Sequence, residues 1–376
     1  MADQLVEPRL PTPGVAFDIT PLQNAHRFRG IGTYVRGLAI RLAEQTEIPI
    51  EFWGWSGEIA FAARPPHSVL ALRRVPMPEY RGGWVFAQLA MRRRAQRSRV
   101  RAVHITDPNA LTALGKRSVL ATVYDLIPLR EGQTSHRAIA RAGYNSYLAA
   151  LKKTGTLFAI SNQTAIDLVE LLHIPGTRIQ VARPGVDLPP SSGRPARPSR
   201  PYFLFIGGPN PNKNLTCLLE AMKLRAELPE ELLIAGHWLP KQVDALNGLV
   251  ADGLASRVRH IGFVPAGELA GLMRDATALV VPSLMEGFGL PVAEGLAAGA
   301  LVLHSRLPVL EETSAGAALT FDAGSATELA ACLMQASSDR ELGSALRKRG
   351  LVRAKELTWD AAVSNTLAAY RAILES

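Results

Sequence analysis

The sequence predicts an α/β protein of two doubly wound, Rossmann-like parallel-sheet domains. Three observations carry this. Short apolar runs alternate with amphipathic helical runs through residues 14–187, the pattern of a parallel sheet covered on both faces. The tract LPPSSGRPARPSRP then interrupts the alternation, rich in Pro, Ser and Gly without an apolar period, which marks an interdomain linker. From Pro201 the alternation restarts. At 376 residues the chain is long for one domain and comfortable for two. The expected division is a first domain at 1–187, a linker at 188–200, a second domain at 201–357 and a last helix at 358–376.

Each element follows in turn. GVAFDIT is a first strand and IGTYVRGLAIRLAEQ a helix. IEFWGW, AVHIT and VLATVYDLI read as strands, the last stopping at Pro128. AIARAGYNSYLAALKKTG reads as a helix, and TLFAISN as a strand leading to the helix TAIDLVELL. The second half opens with the apolar strand of PYFLFIGGPNPNKN, whose turn holds Gly207 and Gly208 and brings Lys213 to a helix start. The run ATALVVPS suits a buried parallel strand. Thr358 precedes WDAAVSNTLAAYRAILE, a capped amphipathic helix.

Composition sets bounds. Apolar residues make up 47% and charged ones 20%, so large cores are accessible and wholesale disorder is excluded. Cys217 and Cys332 lie in helix-like stretches with no ligand spacing around them, as reduced cysteines of a cytosolic protein do. The N-terminal MADQLVEPRLPTPG is polar and proline-broken, unlike a signal peptide. No run approaches the roughly 18 apolar residues of a membrane span. The expectation is therefore a soluble, cytoplasmic protein. The net charge of +9 suits nucleic acid, an anionic membrane or phosphorylated substrates. Its sharpest concentration is MRRRAQRSRVR, preceded by Trp84, Phe86 and Leu89. The stretch 84–101 reads equally as an interfacial membrane helix or as a packed helix with a solvated basic end. Nucleic acid is disfavoured, since aromatics are 6% and no nucleic-acid-binding motif accompanies the arginines.

Residues 281–300, VPSLMEGFGLPVAEGLAAGA, hold the most chemistry. Glu286 and Glu294 stand eight positions apart around Gly287-Phe288-Gly289. Pro291 suits a first helical position. Strand, carboxylate, glycine turn and helix follow one another, and the free N–H groups at such a helix start form an anion site. A diphosphate bearing hydroxyl groups, as in a sugar nucleotide, would satisfy every part. Two Glu that merely cap and decorate a helix are the plainer alternative.

E-G-F-G-L-P-x-x-E followed by G-L-A-A-G resembles the signature of the retaining glycosyltransferases of family 4. That resemblance implies the GT-B fold, two Rossmann-like domains facing a central cleft, with acceptor bound by the first and nucleotide sugar by the second. It implies that Glu286 faces the donor sugar and Glu294 the ribose. It also implies that backbone amides of Gly287, Phe288, Gly289 and Leu290 contact sugar and diphosphate, with Pro291 in the same donor-binding turn. Lys213 stands where the family keeps a basic residue for the donor phosphates; a solvated lysine is the alternative. Asn212 and Gly208 occupy places where many relatives carry Arg. RGIGTYVRGL, with Gly30 and Gly32, resembles the family's glycine loop, although a G-x-G alone is weak.

TVYDLIPL departs from the pattern: Tyr124 stands where relatives often carry His, beside Asp125. A tyrosine near its ordinary pKa of about 10 is no general base at neutral pH. His104, at the end of AVHIT, reads either as a cleft residue on the acceptor side or as a buried structural histidine. Ser161 and Asn162 resemble the family's strand end near the cleft, with loop capping as the other reading. No Asp-x-Asp occurs, so no metal or other cofactor is expected. The resemblance is nearest to bacterial mannosyl- and rhamnosyltransferases of polysaccharide and lipopolysaccharide assembly. It implies a GDP-sugar donor and a saccharide or polyprenyl-linked acceptor. Two rivals are a nicotinamide dehydrogenase, which lacks a strand–GxGxxG–helix unit here, and a non-catalytic GT-B protein that only binds a sugar nucleotide.

Overall fold

The structure, a computed structural model, describes residues 14–28, 30–45, 47–55, 70–75, 89, 92–108, 110–111, 118–130, 138–187, 200–251 and 253–375. The chain divides into two compact units, Met1–Pro184 with Trp359–Ser376, and Gly185–Thr358. The first boundary falls three residues before the one expected. The Val186 N–H donates to Leu357 O at 2.9 Å, which binds that strand of chain to the second unit. Most of the expected linker, 188–199, lies outside the described residues.

The first unit holds seven parallel strands: β1 (Val15–Asp18), β2 (Ile50–Trp55), β3 (Leu70–Val75), β4 (Ala102–Ile105), β5 (Ser118–Val123), β6 (Thr156–Ala159) and β7 (Ile179–Val181). Their order is β3-β2-β1-β4-β5-β6-β7. Neither β3 nor β7 is expected from periodicity. They are the two edges, where one neighbour is missing and the apolar requirement is weakest; LALRRV carries two arginines and IQV is three residues long. β5 stops at Val123, so Tyr124 and Asp125 sit on the loop beyond it. The helix expected at 164–172 begins earlier, at Asn162.

The last helix, Asp360–Glu375, closes this first unit. Trp359 lies against the helix Gly30–Glu44, where Gly37 leaves room for its ring; a Cβ there would collide with it. The Arg41 guanidinium covers the same indole at 5.4 Å. Asn365 Nδ2 donates to Val181 O at 2.8 Å, and Arg101 donates to Leu374 O. A sequence-distant helix thus completes the core around β4.

The second unit repeats the plan with six parallel strands: β8 (Tyr202–Ile206), β9 (Glu231–Ala235), β10 (Val258–Gly262), β11 (Ala278–Val281), β12 (Val302–Ser305) and β13 (Leu319–Phe321). The order is β10-β9-β8-β11-β12-β13. Alternate residues of each strand supply opposite cores, as a period of two requires. Phe203, Phe205, Ile234 and Val280 pack on one face, while Tyr202, Leu204, Leu233 and Leu279 pack on the other. Burial on both faces is why these strands are nearly continuous apolar runs.

Candidate active site

In the second unit β11 feeds the loop 282–289 and then the helix Leu290–Ala298. Gly289 is the N-cap at φ +86°. A side chain there would be strained and its Cβ would strike Leu310. The helix starts at Leu290, so Pro291 occupies the second position rather than the first; its missing N–H is harmless at either. Thr313 Oγ1 donates to Phe288 O at 2.6 Å and Ser305 Oγ to Ser283 O at 2.5 Å. These bonds hold the loop from below. The N–H groups of Gly287, Phe288, Gly289 and Leu290 donate to no acceptor among the described residues. They form an electropositive cradle at a helix start.

Lys213 reaches this loop from a separate segment. It ends the 3-10 turn Pro211–Lys213, after which Asn214 takes φ +52°. Leu284 N donates to Asn212 O at 2.8 Å, joining the two loops. Lys213 Nζ then donates to Glu286 Oε1 at 2.6 Å, and Ser283 Oγ donates to the same oxygen at 2.8 Å. The pair is partly shielded, with side-chain exposures of 27% and 11%, so its attraction exceeds that of a surface pair. In the sequence each follows a separate strand of this sheet; the structure joins them as one ion pair.

Glu294 is different. Among the described residues no hydrogen bond or ion pair reaches its carboxyl, and burial pushes its pKa up to about 7. A half-ionised carboxyl near neutrality is poised to accept hydroxyl protons. Gly207 lies under Trp238, whose Nε1 donates to Gly207 O at 2.8 Å. Around Gly208 a Cβ would meet nothing within 4 Å. His260 stacks obliquely on Trp238, with ring centroids 5.2 Å apart.

The first unit gathers fewer of the expected residues. Gly30 and Gly32 are not in a turn before the helix but in its first turn. At Gly32 a Cβ would sit 2.5 Å from His26 O, so this glycine serves close packing. Tyr124 is 6% exposed and its ring meets that of Tyr34 edge-on at 5.7 Å. Burial, with the nearby acidic groups, lifts its pKa well above the ordinary tyrosine value, so it remains a neutral phenol. Asp125 is half-buried and accepts from Ile127 N at 3.2 Å.

The two acceptor-side candidates, His104 and Ser161, are not ligand residues; the structure gives each its structural reading. His104 is fully buried, with Nδ1 2.7 Å from Tyr370 Oη and Nε2 2.9 Å from Thr122 Oγ1. Burial lowers its pKa to about 3; it is a neutral structural imidazole with no surface for a ligand. Ser161 is likewise buried. Its Oγ accepts from Thr164 N at 3.1 Å as the N-cap of Asn162–Leu172, a use that consumes the hydroxyl. The basic stretch also divides. Arg92, Arg93, Arg97, Arg99 and Arg101 are exposed, whereas Arg94 is buried 3.7 Å from Glu51 and 5.1 Å over Trp53. Trp84, Phe86 and Met91 lie outside the described residues.

Residues that motif reading overlooks sit at the ends of β1 and β4. Asp18, Thr106 and Asp107 are all buried there, and strand-terminal Asp in GVAFDIT and HITD was the available signal. Among the described residues no group of three or more His, Cys, Asp or Glu could hold a metal ion, and no helix is long and apolar enough to cross a membrane.

Comparison with known proteins places this arrangement. Residues 28–189 match the family model of Glycosyltransferase Family 4, and residues 200–339 that of Glycosyl transferases group 1. Over 179 residues the chain is 33% identical to O-antigen chain mannosyltransferase B of Escherichia coli, covering 45% of each chain. Over 222 residues it is 25% identical to O-antigen chain mannosyltransferase RfbU of Salmonella typhimurium, covering 56% of this chain and 62% of that one. Each alignment thus spans less than two thirds of the relative. Sucrose-phosphate synthase from Thermosynechococcus elongatus superposes with a TM-score of 0.77 at 20% identity, covering 96% of this chain and 99% of that one. WaaG, a glycosyltransferase involved in lipopolysaccharide biosynthesis, gives 0.68 at 18%, covering 96% and 99%. The shared fold is GT-B. With both halves matched in order, the chain belongs to the family 4, group 1 glycosyltransferases.

Proposed function

We propose that the protein transfers a hexose, mannose or a deoxyhexose such as rhamnose, from a nucleoside diphosphate sugar to a saccharide or lipid-linked saccharide. The transfer proceeds with retention at the anomeric carbon, needs no metal, and serves polysaccharide or lipopolysaccharide assembly. The Lys213–Glu286 pair beside four unengaged amides carries this reading. The amides and Lys213 receive the diphosphate and stabilise charge as it develops on the leaving group. The phosphate competes for the ammonium, which frees Glu286 to orient the sugar hydroxyls. A leaving phosphate oxygen takes the proton of the acceptor hydroxyl. Glu294 accepts the ribose hydroxyls. The mannosyltransferases among the relatives support mannose, and with it a GDP-sugar donor. Exposed Arg92, Arg93, Arg97, Arg99 and Arg101 support contact with an anionic membrane surface at the cytoplasmic face.

The test is transfer from GDP-mannose to a mannoside, with and without a chelator, reading the anomeric configuration by NMR. Glu286→Gln is expected to lower turnover by at least about a hundredfold while sparing GDP binding. Turnover unchanged in that variant removes Glu286 from the mechanism. Donor binding without hydrolysis or transfer by the native chain would favour the non-catalytic reading.

A further inference from the structure

Glu286 is held by two donors of unlike kind. Lys213 Nζ and Ser283 Oγ both donate to its Oε1, at 2.6 and 2.8 Å. A carboxylate oxygen has two lone pairs, so Oε1 is filled. Oε2 accepts no hydrogen bond among the described residues and is not enclosed. The side chain is thus gripped by one oxygen and leaves the other open. Ser283 stands two residues past β11, and Ser305 ends the neighbouring strand β12. The Ser305 hydroxyl donates to Ser283 O, which fixes the backbone from which Ser283 reaches Glu286. Both serines are fully buried.

The two donors respond differently to a diphosphate. The Lys213 side chain is charged and 27% exposed. The unengaged amides of residues 287–290 gather anionic oxygens on the same loop that carries Glu286. A diphosphate seated there draws the ammonium off the carboxylate, being the more highly charged partner. Ser283 is neutral and enclosed, so the ligand neither attracts it nor reaches it. A Glu286 that lost both donors would regain its rotamer freedom. With Ser283 in place one bond survives, and Oε2 keeps its aim.

We propose that Ser283 is a positioning residue for transfer, holding Glu286 in place while Lys213 is engaged on the diphosphate. It touches neither donor nor acceptor and acts through Glu286. This role rests on the transfer reading above, in which Glu286 orients the donor sugar.

Ser283→Ala, Glu286→Gln and the double variant test this in transfer from GDP-mannose to a mannoside. Ser283→Ala keeps the Ser305 bond, which goes to the backbone. It is expected to lower kcat about ten- to a hundredfold, as loss of a hydrogen bond to a charged group does, with GDP affinity unchanged. In the Glu286→Gln chain the same deletion is expected to change kcat less than about threefold, because its effect runs through the carboxylate. Crystal structures of the native chain with GDP or UDP, whichever binds, read the geometry without turnover. Lys213 Nζ is expected on the diphosphate and Glu286 Oε1 still on Ser283 Oγ. A kcat within about twofold of native in Ser283→Ala, a loss of equal size in both backgrounds, or GDP affinity falling together with kcat overturns the proposal. So does a nucleotide-bound structure in which Glu286 has left Ser283 or Lys213 has stayed on Glu286. The expected nucleotide-bound geometry without transfer by the native chain leaves the hold on Glu286 standing and refutes the transferase reading alone. A chain that binds neither nucleotide refutes both.

Discussion

Replacing Glu294 by Gln should stabilise the ligand-free second unit and weaken its hold on nucleotide. Burial is the one cause that raises the Glu294 carboxyl from 4.5 to about 7. Because the folded state binds this proton more tightly than the unfolded chain, stability falls as pH rises from 4.5 through 7 and the full cost stands above 7. That gap corresponds to about 3 kcal/mol as a ceiling. The carboxyl is partly accessible, and solvent screening reduces the figure to about 1–2 kcal/mol. For a unit of this size each kcal/mol moves the melting temperature by about 2–4 °C. Glu294→Gln should therefore melt about 2–8 °C higher than the native chain at pH 8, and the gain should vanish by pH 4.5. Differential scanning calorimetry across that range, resolving the transition of the second unit, reads it directly. A variant that melts at or below the native chain at pH 8, or with a gain independent of pH, would refute the argument. In the native chain GDP affinity should rise with pH through 7, as the carboxylate forms to accept the ribose hydroxyls.

Two further tests probe the frame. Gly289→Ala sets a side chain at φ +86° against Leu310 and should cost about 2–4 kcal/mol, read by chemical denaturation; Leu310→Ala in the same chain should recover only part, since the backbone strain remains. His104, held neutral with a pKa of about 3, opposes acid. The unfolded chain takes up a proton below 6.5, so this residue should cost the first unit about 2 kcal/mol at pH 5. Urea denaturation of His104→Gln should show that part of the pH dependence removed, with GDP binding unaffected.

How much was legible in the sequence depended on how local each device is. The donor-side loop is one strand, one turn and one helix within twenty consecutive residues, so its chemistry could be read along the chain. Lys213 joins it through its own bond to Glu286 and the bond between Asn212 and Leu284, which no spacing encodes. On the first unit the relevant neighbours lie on adjacent strands: Asp18 and Asp107 meet across β1 and β4, far apart in sequence. Residues at a strand end also alternate in direction, and His104 and Ser161 turned inward, to the structural one of the two readings each allowed. The edge strands β3 and β7 escaped because an edge needs less apolar surface than a centre.

The helix Asp360–Glu375 belongs to the first unit although its chain follows the second. A ribosome therefore releases every strand of the first sheet long before the segment that finishes its core. Until residues beyond Trp359 emerge, His104 lacks Tyr370 and the groove at Gly37 stands uncovered. The second unit, continuous in sequence, has all its parts earlier. Synthesis from the N-terminus usually favours early folding of the first domain; here that order is reversed, and the first unit made is the last to be completed.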